Sequence, residues 1–361
     1  MKLKDEYNKV FIEKLAIKLS DASHSFNTKA FVQSIINNDW KNKELKERVG
    51  TVAKNIHIYL TVPYKKQVSI LVNIAPKFKG LQLFIFPGFV EKYGLNDLKT
   101  SVKAMELFTE LFTSEMAIRP FIEKYPREIG KQLLAWSLSD NHHYRRLSSE
   151  GTRPRLPWAS PLRNFIKDPS PNLPILENLK NDESLYVRKS VANHLNDISK
   201  NHPELVLKIA KKWHGKTAHT NWVVKHGLRT LLKKGDKKAL AIFGLDNAKN
   251  IRTEHLCLSK GSIKIGDFIH FEFDVINDAK QKRAVRLEYK VAFVKANGNT
   301  SNKVFQISEF SLSPSSKKHF KRKQWFKELS TRKHYPGTHN ISLVVNGEEK
   351  SSVRLELKPL F

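Results

Sequence analysis

From residue 1 to about 248 the apolar residues recur at the 3.6-residue spacing of helices, whereas from about 256 to 361 they alternate in short runs. The chain therefore reads as two domains, a helical one over 1–250 and a strand-built one over 256–361. Six runs rich in Val, Ile and Phe carry the second pattern: "DFIHFEFDVIN", "RAVRLEYKVAFVKAN", "SNKVFQISEFSLS", "KKHFKRKQWF", "HNISLVVN" and "SSVRLELKP". Asn297-Gly298 and Asn346-Gly347 fall between runs, and Asn-Gly supplies the positive φ angles of a tight hairpin. An all-β sandwich of about 100 residues is the expected fold of this half.

The helical half repeats itself weakly. "SDNHHYRRLSS" aligns with "NDESLYVRKSV" at an offset of 42, pairing Asp140 with Asp182, Tyr144 with Tyr186, Arg146 with Arg188 and Ser148 with Ser190. A further shift of 36 sets Tyr186 on Trp222 and Ser190 on His226. Such offsets suit two-helix HEAT-type repeats, with partner helices beginning at Pro171, Pro203 and Asp236. An all-α solenoid is expected, one row of its helices lining a concave face. The longer first offset holds an insertion, "SSEGTRPRLPWASPLRN", where three Pro, three Arg and Trp158 crowd together.

On the helix expected over 183–200, Val187, Val191, Leu195 and Ile198 form an apolar stripe. Tyr186, Ser190, Asn193 and Asp197 form a second line at i, i+4, i+7 and i+11. Two uses fit this row of short hydrogen-bonding groups: close approach to a ligand, or bridging to the next repeat. On the next inner helix Trp222, His226, Arg229 and Lys233 repeat the spacing opposite Val224, Leu228, Leu231 and Leu232. That row can track phosphates along a strand; a solvated basic face is the alternative, and it leaves Trp222 unexplained. In "AMELFTELFTSEMAIRPF" the stripe Phe108, Leu111, Phe112 continues at helical spacing into Glu115. A carboxylate among apolar neighbours is desolvated, which marks either a functional site or an ion pair, with Arg119 or with an arginine of a neighbouring repeat.

Charge narrows the function. The 64 Lys and Arg outnumber 35 Asp and Glu, a formal charge of +29, so the expected partner is a polyanion, nucleic acid first among them. No apolar run approaches the roughly 20 residues of a membrane span, and no amphipathic segment is fringed by a lysine cluster. Cys257 is the single cysteine, which excludes an intrachain disulfide and argues against a Cys-based zinc site. The His142-His143 pair lacks cysteines or carboxylates at useful spacing, so neither metal nor cofactor is expected. "MKLKDEYNKVFIEKLAIKL" carries acids and a helical period in place of a signal peptide's apolar core, so a cytoplasmic setting is expected.

Taken together, "FTSEMAIRPFI", "RRLSSEGTRPRLPWA", "VRKSVANHLNDISKNHPE", "YKVAFVKANGNTSNKVF" and "TRKHYPGTHNISLVVNG" resemble the AlkC-type DNA alkylation-repair glycosylases along the whole chain. The resemblance implies a HEAT-like solenoid that embraces double-stranded DNA, fused to an immunoglobulin-like domain. It implies removal of cationic N3-methylated bases, chiefly 3-methyladenine and in some members 3-methylcytosine, without a base-flipping pocket. Glu115 in "TSEMAIRP", Trp158 in "RPRLPWA" and Asp197 in "NHLNDIS" look like the family's catalytic residues, and Arg146, Arg153 and Arg155 match basic positions around them. In the β half, Lys295, Asn297, Lys303, Arg332, Lys333, His334 and Tyr335 lie in or beside expected turns and are candidate DNA contacts. A monomer acting in the bacterial cytoplasm is expected. The alternative is a non-catalytic HEAT-repeat scaffold for nucleic acid; Glu115 and Asp197 argue against it, because acids facing a polyanion lower its affinity. A protein-binding scaffold leaves the arginine-rich loop unexplained.

Overall fold

The computed structural model describes residues 2–329 and 332–360; Met1, Ser330, Phe361 and Thr331, which opens the "TRKHYP" stretch, lie outside the described residues. The chain runs through α1 (Lys9–Ala22), α2 (Thr28–Ile35), α3 (Leu45–Tyr59), α4 (Tyr64–Ile74), α5 (Ile85–Tyr93) and α6 (Leu98–Leu111). It continues through α7 (Arg119–Lys124), α8 (Pro126–Trp136), α9 (His142–Gly151), α10 (Arg163–Lys167) and α11 (Leu173–Leu179). The last helices are α12 (Leu185–Ile198), α13 (Pro203–Trp213), α14 (Ala218–Gly227), α15 (Arg229–Lys233) and α16 (Lys237–Ile242). Side chains of Asn8, Asn27, Asp97, Asn141 and Asp236 cap the helices they precede by accepting from first-turn N–H groups. Pro120, Pro126 and Pro203 occupy first-turn positions, where a missing N–H costs nothing. No helix among the described residues is long and apolar enough to cross a membrane.

Two compact units result, Met1–His202 with Gly215–Gly227, and Pro203–His214 with Leu228–Phe361. In the first, α9, α12 and α14 lie side by side as successive inner helices. Gly227 permits this: a Cβ there would fall 3.1 Å from the Leu195 Cβ. The structural register is one residue longer than the 42 of the sequence match, because Asn141 and Ser184 are the equivalent N-caps. Arg145 donates to the carbonyls of Ser139 and Asp140 (2.9 and 2.8 Å), just as Arg188 donates to those of Asp182 and Glu183 (2.6 and 2.8 Å). The true counterpart of Arg188 is therefore Arg145, leaving Arg146 outside the repeat pattern.

The expected row Trp222, His226, Arg229, Lys233 does not lie on one helix. The helix stops at Gly227 and restarts at Arg229, so Trp222 and His226 stand on α14 in the first unit while Arg229 and Lys233 stand on α15 in the second. The Trp222 and His226 rings stack at 5.0 Å and 10°.

The second unit contains a three-stranded sheet, order β1-β3-β6, and a five-stranded sheet, order β2-β8-β7-β4-β5. Its strands are β1 (Ile251–Leu258), β2 (Ser262–Lys264), β3 (Phe268–Asn277), β4 (Arg283–Val294), β5 (Thr300–Leu312), β6 (Ser316–Trp325), β7 (Gly337–Val345) and β8 (Glu348–Lys358). All six alternating runs are strands, and β1 and β2 are additional. Ile269, Phe271, Phe273 and Val275 of β3 face Val285, Leu287 and Val291 of β4 and Ile341 and Leu343 of β7 in one apolar core. Asn346 (φ 50°) and Gly347 (φ 80°) form the tight β7–β8 turn, whereas in the other Asn-Gly pair only Gly298 (φ 78°) is left-handed, inside a wider loop.

Three helices of the helical pattern, α13, α15 and α16, fall in this second unit. The reason is contact with the β7–β8 turn: a Cβ on Gly235 would lie 2.9 Å from the Gly347 carbonyl oxygen. Lys350 Nζ and Asn346 Nδ2 also donate to the carbonyls of Ala248 (3.0 Å) and Asn247 (3.2 Å).

Candidate active site

Glu115 does not continue the α6 stripe. The helix ends at Leu111, because hydroxyl-bearing Thr113 and Ser114 redirect the chain: Ser114 Oγ reaches back to the Met105 carbonyl at 2.8 Å. Glu115 thus sits in the α6–α7 turn, where its Oε2 accepts from Thr113 Oγ1 (2.8 Å) and pairs with Arg146 of α9. The partner is the arginine of a neighbouring repeat; Arg119 bonds elsewhere.

From Glu115 a line of alternating charge crosses to α12. Arg146 Nη2 approaches Glu150 Oε1 at 3.6 Å, Arg153 Nη1 donates to the same oxygen at 2.6 Å, and Arg153 Nε donates to Asp197 Oδ2 at 2.9 Å. Lys200 closes the line on Asp197 Oδ1 at 3.1 Å. Glu150, Arg153 and Asp197 are buried. Burial works against the charges of Arg146 and Arg153, but the carboxylates beside them prevail and hold both guanidinium groups above their ordinary range. Burial likewise opposes the Glu150 carboxylate, and Arg146 and Arg153 outweigh it, so its pKa is lowered. The Arg146 guanidinium lies 4.8 Å from the Tyr186 ring centroid, on the exposed side of the line.

The row on α12 divides. Tyr186 is exposed and Asn193 half-buried, but Ser190 is buried and donates to Ser149 Oγ at 2.9 Å. Ser190 therefore bridges adjacent repeats and offers no surface to a ligand. Beside it His194 is fully buried with Nδ1 3.0 Å from the Ser149 carbonyl; a carbonyl only accepts, so Nδ1 carries the proton. Burial pushes the His194 pKa down to about 4, against the pull of Asp197.

Trp158 stands on the α9–α10 loop, 57 % exposed and left-handed at φ 65°. Arg155 on the same loop is exposed and donates to Asn201 Oδ1 at 3.0 Å. The loop is laced by Arg119, which donates to the carbonyls of Gly151 (3.0 Å), Arg153 (2.8 Å) and Ser160 (2.7 Å). Burial lowers the Arg119 pKa to about 10, which leaves it charged at neutral pH.

Among the β-unit candidates, Lys295, Asn297, Lys303 and Lys333 are exposed, and Tyr335 is half-buried. Arg332 lays its guanidinium 4.2 Å from the Phe293 ring centroid. His334 is buried between Phe293 and Phe326, each 5.4 Å away, so it packs the end of the sandwich and presents no contact surface. Among the described residues no three His, Cys, Asp or Glu side chains gather as a metal ion requires.

Residues 112–231 match the DNA alkylation repair enzyme family, and 252–359 match the C-terminal Ig-like domain of the uncharacterised protein YhaZ. The chain is 46% identical to YhaZ of Bacillus subtilis (strain 168) over 355 residues, covering 98% of this chain and 99% of that protein. It superposes with a TM-score of 0.96 on the Pseudomonas fluorescens alkylpurine DNA glycosylase AlkC, solved bound to DNA containing an abasic site analog. Identity there is 34%, over 99% of this chain and all of the other. The chain belongs to the AlkC-type DNA alkylation repair family. Family membership places the acid–arginine line in a repair enzyme's helical half, with the Ig-like domain following it. Glu150 escaped notice in the sequence, although its place four residues after Arg146 is the spacing of a helical ion pair. Arg119 and His194 carry no such signal, since their partners are backbone carbonyls more than thirty residues away in sequence.

Proposed function

We propose that this chain is a DNA glycosylase hydrolysing the N-glycosidic bond of cationic N3-methylated bases, 3-methyladenine first and 3-methylcytosine by the same chemistry. The observation that carries the reading is the line joining Glu115 to Asp197 through Arg146, Glu150 and Arg153, within a chain of charge +29. Acids facing DNA lower affinity for it, so a pure binding surface has no use for Glu115 at the part-exposed end of the line; a reaction that develops positive charge does.

An N3-methylated base already carries the charge that protonation otherwise supplies, so it leaves without a general acid. The work falls on the sugar, whose C1′ becomes oxocarbenium-like as the bond breaks. In this reading Glu115 and Asp197 stabilise that charge and orient or deprotonate the attacking water. Trp158 stacks on the lesion nucleotide and adds cation–π attraction. Arg146 and Arg155 face flanking phosphates, joined by Tyr186, Asn193, Trp222 and His226. Arg153 is buried between Glu150 and Asp197, so it offers phosphates no surface and holds the two acids in place instead. In the second unit Arg229, Lys233, Lys295, Asn297, Arg332 and Tyr335 are contact candidates in their own right. The base needs no deep pocket, because no group has to reach its ring nitrogens.

Incubation with methylated duplex DNA should release free 3-methyladenine, detectable by chromatography; intact glycosidic bonds after prolonged incubation would sink the proposal. Glu115→Gln with Asp197→Asn should slow release by about 10²-fold or more while leaving duplex binding within a few fold. Undiminished release by that double variant reassigns the chemistry to other residues.

A further inference from the structure

Trp158 is the one non-glycine residue with positive φ among the described residues of the first unit. A bulky side chain in left-handed backbone is strained, and such strain persists only where the surroundings over-determine it. Two cations from different helices supply that determination through the loop's carbonyls. Arg119 of α7 holds the carbonyls of Gly151 and Arg153 on the incoming arm and of Ser160 on the outgoing arm. Lys46 of α3, 112 positions away in sequence, donates Nζ to the carbonyl of Trp158 itself. Leu162 N–H closes the base of the loop on the Pro154 carbonyl at 3.1 Å. Both cations are engaged with backbone carbonyls, and Arg119 is buried.

We infer that Lys46 and Arg119 are positioning residues that hold the Trp158 backbone left-handed and so present its indole to the lesion nucleotide. This rests on the glycosylase reading for its readout. It also draws the amino-terminal helices into the site, since Lys46 lies outside residues 112–231, over which the repair family matches. Arg119 fixes the arms, and its removal orphans three carbonyls, so Arg119→Lys lowers the melting temperature as well as activity. Lys46 is exposed, so its replacement should leave the melting temperature near that of wild type, and it carries the test.

The experiment compares wild type, Lys46→Met, Lys46→Arg, Trp158→Ala and the Lys46→Met/Trp158→Ala double variant in single-turnover release of 3-methyladenine from methylated duplex. Misplacing the indole by about 1 Å should slow release about ten- to a hundredfold in Lys46→Met. Affinity for undamaged duplex and its salt slope should stay at wild-type values, Lys46→Arg should restore most of the rate, and Lys46→Met should add no further loss in the Trp158→Ala background. Acrylamide quenching of Trp158, isolated by difference from Trp158→Phe, should rise in Lys46→Met. A wild-type release rate in Lys46→Met overturns the inference, as does an undiminished effect of Lys46→Met on the Trp158→Ala background. A salt slope reduced by about one also overturns it, because Lys46 is then a phosphate contact. If wild type releases no methylated base, the glycosylase reading fails, and quenching still decides whether Lys46 holds the loop.

Discussion

His194 shows how a residue outside the reacting set can stabilise it. It is fully buried and neutral, and its Nδ1–H ties α12 to the Ser149 carbonyl of α9, next to the turn of helix that carries Asp197. Folded His194 binds a proton near pH 4 and the unfolded chain near 6.5. Between these values the unfolded state holds more protons, so stability falls as pH falls through that window. The full effect is on the order of 3 kcal/mol. His194→Asn keeps a donor for the Ser149 carbonyl but cannot titrate, so its melting temperature should fall less steeply from pH 6.5 to 4 than that of wild type. Parallel curves would show that His194 does not govern this range. Asp197 stood out in a short-polar row, and both Glu115 and Asp197 lay in motifs that resembled a family's, whereas the apolar row into Glu115 is broken by the end of α6 at Leu111. Their partners were not legible: Arg146 reaches Glu115 across a repeat, and Arg153 reaches Asp197 across 44 positions of chain.

At the level of elements, the β7–β8 turn does two things at once. Its Asn346-Gly347 pair closes the hairpin with positive φ angles, and the bare Gly347 backbone admits Gly235 at a distance no side chain allows. Gly347→Ala combines a left-handed alanine with a Cβ 2.8 Å from the Gly235 Cα. It should lower stability by about 2–4 kcal/mol, read as a drop of several degrees in melting temperature; an unchanged value would mean that the two backbones separate freely. The hairpin itself was legible from Asn-Gly between alternating runs. Its second duty was not, because pairing of two distant glycines leaves no periodic trace. The six strands were legible for the opposite reason: alternating apolar residues, such as Ile269, Phe271, Phe273 and Val275 of β3, enter a common core. β1 escaped because a bulge between Glu254 and Cys257, with His255 at φ 54°, interrupts its alternation. The end of α6 escaped as well, since the Phe108–Phe112 stripe runs on while the Ser114 hydroxyl stops the helix.

For the whole molecule, net charge governs binding before any specific contact does. With +29 on the chain, affinity for duplex DNA should fall steeply with salt, each neutralised phosphate adding about 0.9 to the log–log slope. Lys295 stands exposed beside the β4–β5 turn, so Lys295→Ala should reduce the slope by about one without altering base release at saturating DNA. An identical slope would remove that turn from the interface. His334→Ala should act differently, lowering melting temperature and leaving the slope alone, because its ring is packed between two phenylalanines.

Local periodicity and composition already settle whatever depends on neighbours in the chain. They yield a helical half followed by a sandwich, a polyanion-seeking surface, the arginine-rich loop and the acids that stand out from their neighbours. Tertiary structure alone decided which charges neutralise one another, where the compact units divide, and how Trp158 is held. Those outcomes turn on single hydrogen bonds and glycine contacts between positions far apart in the chain, whose energies depend on distance in space and leave no spacing in the sequence.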